Sequence, residues 1–113
     1  MCVHAVGRRS GEPRDVMVGY IEDGSDVVAM AMNGWDEAEP AWWLNVQAHP
    51  DIEIDLPDGS REVTAREARG DERDRLWERW RGIDRDLDAF AARRRRPTAV
   101  VVFEQRDGAP PTG

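Results

Sequence analysis

The sequence predicts a mainly β protein with helices: a small antiparallel barrel of about six strands, one short helix and a longer C-terminal helical region. Three observations predict it. Two hairpin signals, Asp23-Gly24 and Pro57-Asp58-Gly59, each separate segments that read as strands. Apolar residues recur at spacings of three and four only in one long stretch, from Asp71 to about Arg95. The connections are mostly hairpins, and closing such a sheet removes edges that a chain of 113 residues protects with difficulty.

Taken in order, Cys2 to Val6 is a short apolar strand. Asp15 to Glu22 (DVMVGYIE) is rich in Val, Tyr and Ile and reads as a second strand, with Gly19 marking a bulge or a close approach. Asp23-Gly24 turns it into Val27 to Asn33 (VVAMAMN), whose Met30 and Met32 share one face because side chains alternate along a strand. Asn33-Gly34 breaks that strand. Proline is favoured at a first helical position, so Pro40 opens a short helix through Ala48, and His49-Pro50 closes it. Asp51 to Leu56 alternates cleanly, directing Ile52 and Ile54 inward, and returns through the second hairpin as Arg61 to Arg69. Gly70-Asp71 ends that strand, with Asp71 as the N-cap of the long helical region. There Leu76, Trp80, Ile83, Leu87 and Phe90 form one apolar stripe, with a break expected near Gly82 and Pro97 as the stop. Thr98 to Gln105 (TAVVVFEQ) is nearly all apolar and predicts a central strand buried on both faces. Residues 106–113 read as a flexible tail after a single domain over residues 1–105.

Composition excludes several classes. A net charge of −7 leaves no broad basic surface for nucleic acid. No apolar run approaches membrane-spanning length, and the one cysteine, Cys2, fits a reducing cytoplasm without a disulfide. His4 and His49 have no second ligand at a useful sequence spacing, so no metal site is expected. No serine sits near a histidine in sequence, and neither a phosphate loop of the nucleotide-hydrolase type nor a dinucleotide fingerprint is present.

Against that acidic background, Gly7-Arg8-Arg9-Ser10-Gly11-Glu12-Pro13-Arg14 stands out, with three arginines in eight residues between two strands. Guanidinium forks suit phosphate or carboxylate oxygens, and the glycines let the backbone turn. The residues alone fit either an anion site or a solvated hairpin loop. The second conspicuous feature is Trp42-Trp43 on the short helix. Adjacent helical residues cannot face one way, so Trp43 reads as core and the other tryptophan as lining something else. Asn45 shares a face with Trp42 and offers an amide.

The order GRRSGEPR, AMAMNG, PAWWLNVQAHP, VTARE and DERDRLW resembles the deazaflavin-dependent nitroreductase family, from about Val3 to Gln105. The resemblance implies a split β-barrel and coenzyme F420, an 8-hydroxy-5-deazaflavin, as cofactor; flavin mononucleotide, used by related barrels, is the less favoured ligand. It implies that Arg8, Arg9, Ser10 and Arg14 bind the phosphate and acidic tail. Met30, Ala31, Met32 and Asn33 would run along the ring, and Ala41, Trp42, Trp43, Leu44 and Asn45 would close its other side. The implied reaction is hydride delivery from the reduced deazaflavin to an unsaturated or electron-poor organic acceptor (enone, quinone or nitro compound), with no catalytic side chain required. The partners implied are that small-molecule acceptor and a second copy of the chain, since related barrels often dimerise. The chain opens at MCVHAVG, without the longer segment that walls the substrate pocket in typical members. It also carries Asp84, Leu87 and Phe90 where members acting on bulky nitroaromatics have tyrosines. These departures leave a rival function, a non-catalytic carrier of a deazaflavin or flavin-like ligand.

Overall fold

The computed structural model describes residues 1–31, 40–92 and 98–105, the side chain of Phe90 excepted. The strands are β1 (Cys2–Val6), β2 (Pro13–Met17), β3 (Ile21–Asp23), β4 (Asp26–Met30), β5 (Asp51–Leu56), β6 (Gly59–Glu67) and β7 (Val100–Gln105). The helices are α1 (Ala41–Ala48), α2 (Gly70–Arg81) and α3 (Leu87–Ala91). All seven strands form one antiparallel sheet in the order β2-β1-β5-β6-β7-β4-β3.

The stretch expected to be one strand from Asp15 to Glu22 is two, β2 and β3, and they lie at opposite edges of the sheet. Only Val18, Gly19 and Tyr20 connect them, a link that spans at most about 14 Å from Met17 to Ile21. Six strand spacings of about 4.8 Å would hold the edges of a flat sheet about 29 Å apart. The sheet must therefore curl until its edges approach. The result is a half-barrel of seven strands, of the split-barrel kind expected, with β2 and β3 as the edges of the hydrogen-bonded order. At the crossing, the Met1 ammonium donates to the Val18 carbonyl (3.1 Å), and the Val18 N–H donates to the Met1 carbonyl (2.9 Å).

Apolar residues pack on both faces of the curl. On one, Val3, Ala5, Ile52, Ile54, Val101 and Phe103 meet Trp42, Trp43 and Val46 of α1. On the other, Val28, Met30, Val100 and Val102 meet Leu76 and Trp80 of α2 and Leu87 of α3. β7 supplies alternate residues to each cluster and lies between β6 and β4, as its near-continuous apolar run required. β1 and β5 alternate buried with partly or fully exposed residues, so their outer faces meet solvent.

Three local expectations are corrected. α1 begins at Ala41 with Pro40 as its N-cap, and the Pro40 carbonyl accepts from Trp43 N–H at 3.1 Å. α2 begins at Gly70 with Arg69 at the N-cap, so Asp71 lies inside the first turn, where its charge complements the helix dipole. Ile83 is 69% exposed because α2 ends at Arg81 and the helical period no longer governs the turn beyond it. The Asn33-Gly34 break, the Pro97 stop and the tail lie outside the described residues. Among the described residues no helix is long and apolar enough to cross a membrane.

Candidate functional site

The Gly7–Arg14 segment is the loop between β1 and β2, closed by its own main chain. Gly7 N–H donates to the Glu12 carbonyl (2.8 Å) and Gly11 N–H to the Gly7 carbonyl (2.9 Å). Gly11 takes a φ of 71°, which favours glycine. A Cβ at Gly7 would lie 2.7 Å from Ser10 Oγ and would displace that hydroxyl, the same oxygen that accepts Glu12 N–H at 3.2 Å. Backbone closure leaves Arg8, Arg9 and Ser10 exposed at the turn.

α1 packs behind this loop. Its buried residues are Trp42, Trp43, Asn45 and Val46. At 100° per residue they occupy an arc of about 160°, wide enough for two adjacent tryptophans. Both are buried, and Trp42, the one read as lining something else, is also the one that lines the cleft beside the loop. Trp42 stacks on Phe103 with centroids 6.3 Å apart and planes 28° apart. Trp43 meets Trp42 edge-on at 6.3 Å.

Asn45 joins loop to helix. Its Oδ1 accepts from the Arg8 N–H at 3.1 Å and from Arg8 Nη1 at 2.8 Å. Two donors on one atom fix the amide as oxygen-toward-Arg8, so its NH2 group faces elsewhere. Asn45 is buried, and a buried amide held this way orients the guanidinium before any ligand arrives.

Between loop, β2 and α1 lies a cleft of about 870 Å³. Arg8, Arg9, Ser10 and Arg14 form its basic wall, and Ala41, Trp42 and Asn45 its helical wall. Val16, Met17, Val18 and Gly19 line it from the β2 edge and the crossing segment, which the sequence reading left out of the site. Their signal was Gly19 inside a presumed strand. Met30 lines the cleft from the end of β4, while its side chain belongs to the helix-side cluster. Of the other sequence-predicted residues, Ala31 and Trp43 are buried outside the cleft wall, and Leu44 is half-buried on α1 and also outside it. Met32 and Asn33 lie outside the described residues. Neither Asp84 nor Leu87 lines the cleft; Leu87 is buried in the cluster beneath α2 and α3.

The electrostatics favour an anion. Arg14 pairs loosely with Glu12 at 3.6 Å, and Arg9 meets no carboxylate among the described residues. The first N–H groups of α1 lack intrahelical acceptors and stand at the cleft wall with Pro40, Ala41 and Trp42. A flat ring with an anionic tail suits such a space: an apolar indole on one side, one available amide, and three cations along the rim.

A curled antiparallel sheet with a cationic cleft beside an indole-bearing helix is the architecture of a split-barrel reductase. Comparison with known proteins gives the particular group. The chain belongs to the F420H(2)-dependent quinone reductase family, whose model matches residues 1–105. An F420H(2)-dependent quinone reductase of Mycobacterium tuberculosis is 30% identical over 113 residues, covering 94% of this chain and 73% of the relative. The solved structure of an F420-H2 dependent reductase (FDR-A) superposes with a TM-score of 0.82 at 26% identity, covering 91% of each chain. A second solved structure, described as a domain-swapped dimer, has the same TM-score and identity and covers 91% of this chain and 78% of its own. The protein is thus an oxidoreductase whose cofactor is coenzyme F420.

Proposed function

We propose that the protein reduces quinones to quinols with coenzyme F420H2, held in the β1–β2/α1 cleft. The observation that carries this reading is the Arg8–Asn45 clasp at the mouth of a cleft with two further arginines on its wall. When bound, the reduced deazaflavin supplies a hydride and a proton, which balances conversion of one quinone to one quinol.

The chain's own residues bind and orient. Arg8, Arg9 and Arg14 attract the phosphate and the acidic tail, with Ser10 offering a hydroxyl beside them. Asn45 keeps Arg8 in place and turns its NH2 toward the ring's polar edge. Trp42, backed by Phe103, gives the ring a flat apolar wall. Ala41, Trp43 and Leu44 shape that wall through α1, and Met30 borders the ring from the end of β4. Val16 and Val18 leave apolar surface for a quinone ring. No acid of the chain is assigned a proton, because an open cleft admits solvent to the quinol oxygens. Residues 1–105 act as one cofactor-binding unit. A second copy of the chain is the protein partner we infer, and the domain-swapped neighbour supports that inference.

The test mixes purified protein, F420H2 and a panel of benzoquinones and naphthoquinones, and follows the return of oxidised deazaflavin absorbance. Turnover with quinones, at rates above those with enones and nitroaromatics, is the expected result. Binding of F420H2 without turnover on any acceptor would instead establish a carrier. Tight binding of flavin mononucleotide with none of F420 would overturn the reading altogether.

A further inference from the structure

The outer face of the sheet carries a cluster that meets the cofactor cleft only at Asp15. Cys2 and His4 are two residues apart on β1, so both point away from Val3 and Ala5 and out of the core. The register sets Asp55 of β5 opposite Cys2 and Asp15 of β2 opposite His4. His4 Nε2 lies 2.8 Å from Asp55 Oδ2, and His4 Nδ1 lies 2.9 Å from Asp15 Oδ1. One donor atom each from Cys2, His4 and Asp55 fall within 4.8 Å of one another. Sequence distance hid this grouping, since His4 and Asp55 are 51 residues apart.

The geometry points to a zinc-type metal site on this face, with Cys2 Sγ, His4 Nε2 and Asp55 Oδ2 as ligands. A thiolate, an imidazole and a carboxylate together select a borderline-soft ion over magnesium or calcium, which prefer oxygen. The ligand charges, one thiolate and one carboxylate, neutralise a divalent ion. Tetrahedral zinc separates such donors by about 3.3–3.7 Å, so a modest rotation of the Cys2 and Asp55 side chains completes the set.

The surroundings match what such ions have around them. Asp15 Oδ1 lies at hydrogen-bond distance from His4 Nδ1, so with an ion on Nε2 in place of its proton the ring would donate Nδ1–H to Asp15 and keep its orientation. Ser60 Oγ donates to the other Asp55 oxygen at 2.6 Å and orients that carboxylate in turn. β1 is held on both sides, by β2 and β5, so two ligands sit on a strand that cannot drift. All three ligands are half-buried, which leaves solvent access for a water in the fourth position. The ion would clip β1 to β5 near the start of β1, at the end away from the basic loop. Binding forms three protein–metal bonds and releases the thiol proton and any proton on Nε2.

The experiment uses the full chain, stripped with chelator and kept reduced, and titrates it with Co2+ and then Zn2+. One equivalent of Co2+ should produce a thiolate charge-transfer band with the strong visible bands of tetrahedral coordination, and Zn2+ should displace it. Cys2→Ser should remove the charge-transfer band and weaken Zn2+ binding at least tenfold. Asp15→Asn should keep the band and weaken Zn2+ by about 10–100-fold, the usual effect of losing the group that orients a ligand. Circular dichroism in excess chelator shows whether the variants fold. The unmodified protein alone decides the matter where they do not. Co2+ binding without a charge-transfer band, or Zn2+ binding no tighter than in Cys2→Ser, would overturn the site and leave His4 as a bridge between two carboxylates.

Discussion

β7 and β1 are both inner strands of the same sheet, yet they are used in opposite ways. Val100 to Phe103 of β7 are all buried, shared between the two apolar clusters. β1 buries only Val3 and Ala5, faces solvent with Cys2 and His4, and ends in the loop that builds the cleft. A strand covered on both faces can contribute stability and little else. One covered on a single face keeps its other face and its ends for polar chemistry.

The largest effect that would test this contrast is at Phe103. It is fully buried and stacks on Trp42, so the indole beside the cleft rests on β7. Phe103→Ala should cost about 3–5 kcal/mol of stability, from lost burial and the cavity left behind. Urea unfolding reads this directly. A loss under about 1 kcal/mol would mean that β7 is not the structural strand that its burial implies.

An intermediate effect belongs to the β1 side. Arg8→Ala should weaken F420 binding by about 1.5–3 kcal/mol, as for a hydrogen bond to a charged group. Asn45→Ala should act on the same interaction from behind, by releasing the guanidinium and leaving Arg8 N–H without its acceptor. The two losses should overlap in the double variant, with a coupling of about 0.5–3 kcal/mol between them. Titration calorimetry on the four proteins measures it. Strict additivity would show that Asn45 contacts the ligand independently and does not position Arg8.

The same contrast explains what was legible in the sequence. The hairpins at Gly24 and Gly59, the helix before His49 and the doubly buried run of β7 rest on local signals, and each formed. The break between β2 and β3 did not announce itself, because nothing in DVMVGYIE reports that its two halves belong to opposite edges of a curled sheet. That is a property of closure, which only the whole sheet decides. The basic loop was visible as a composition anomaly, and its helix through the tryptophan pair. Asn45 was singled out as a donor to a ring; that its oxygen is committed to Arg8, 37 residues earlier, required the packing of α1 against the loop. Cys2, His4 and Asp55 were invisible as a group for a similar reason, since cross-strand register brings them together and no sequence spacing does.

The smallest effect concerns how the helical layer is fastened to the edge of the sheet, away from the cleft. Asp23 ends β3 and accepts from Arg75 Nη1 and Nη2 at 2.9 and 3.0 Å and from Arg79 Nη1 at 3.1 Å. The Arg75 hydrogen bonds, helped by the charges of Arg75 and Arg79 and opposed by partial burial, hold the Asp23 carboxyl below its ordinary 3.8. A carboxylate with a depressed folded-state pKa adds stability above its unfolded pKa, and that stability fades as pH falls through the folded value. Wild type should therefore exceed Asp23→Asn by about 0.2–1 kcal/mol from neutral pH down to about pH 5. The gap should shrink below the ordinary 3.8 as Asp23 itself takes up a proton. Comparing the two proteins at each pH cancels the other carboxylates, and urea midpoints supply the measurement. A gap that stays constant to pH 2.5 would mean that the Arg75 and Arg79 contacts owe nothing to the charge on Asp23. The fastening of α2 to β3 would then rest on Leu76 and Trp80 packing against Ile21 and Val28 alone.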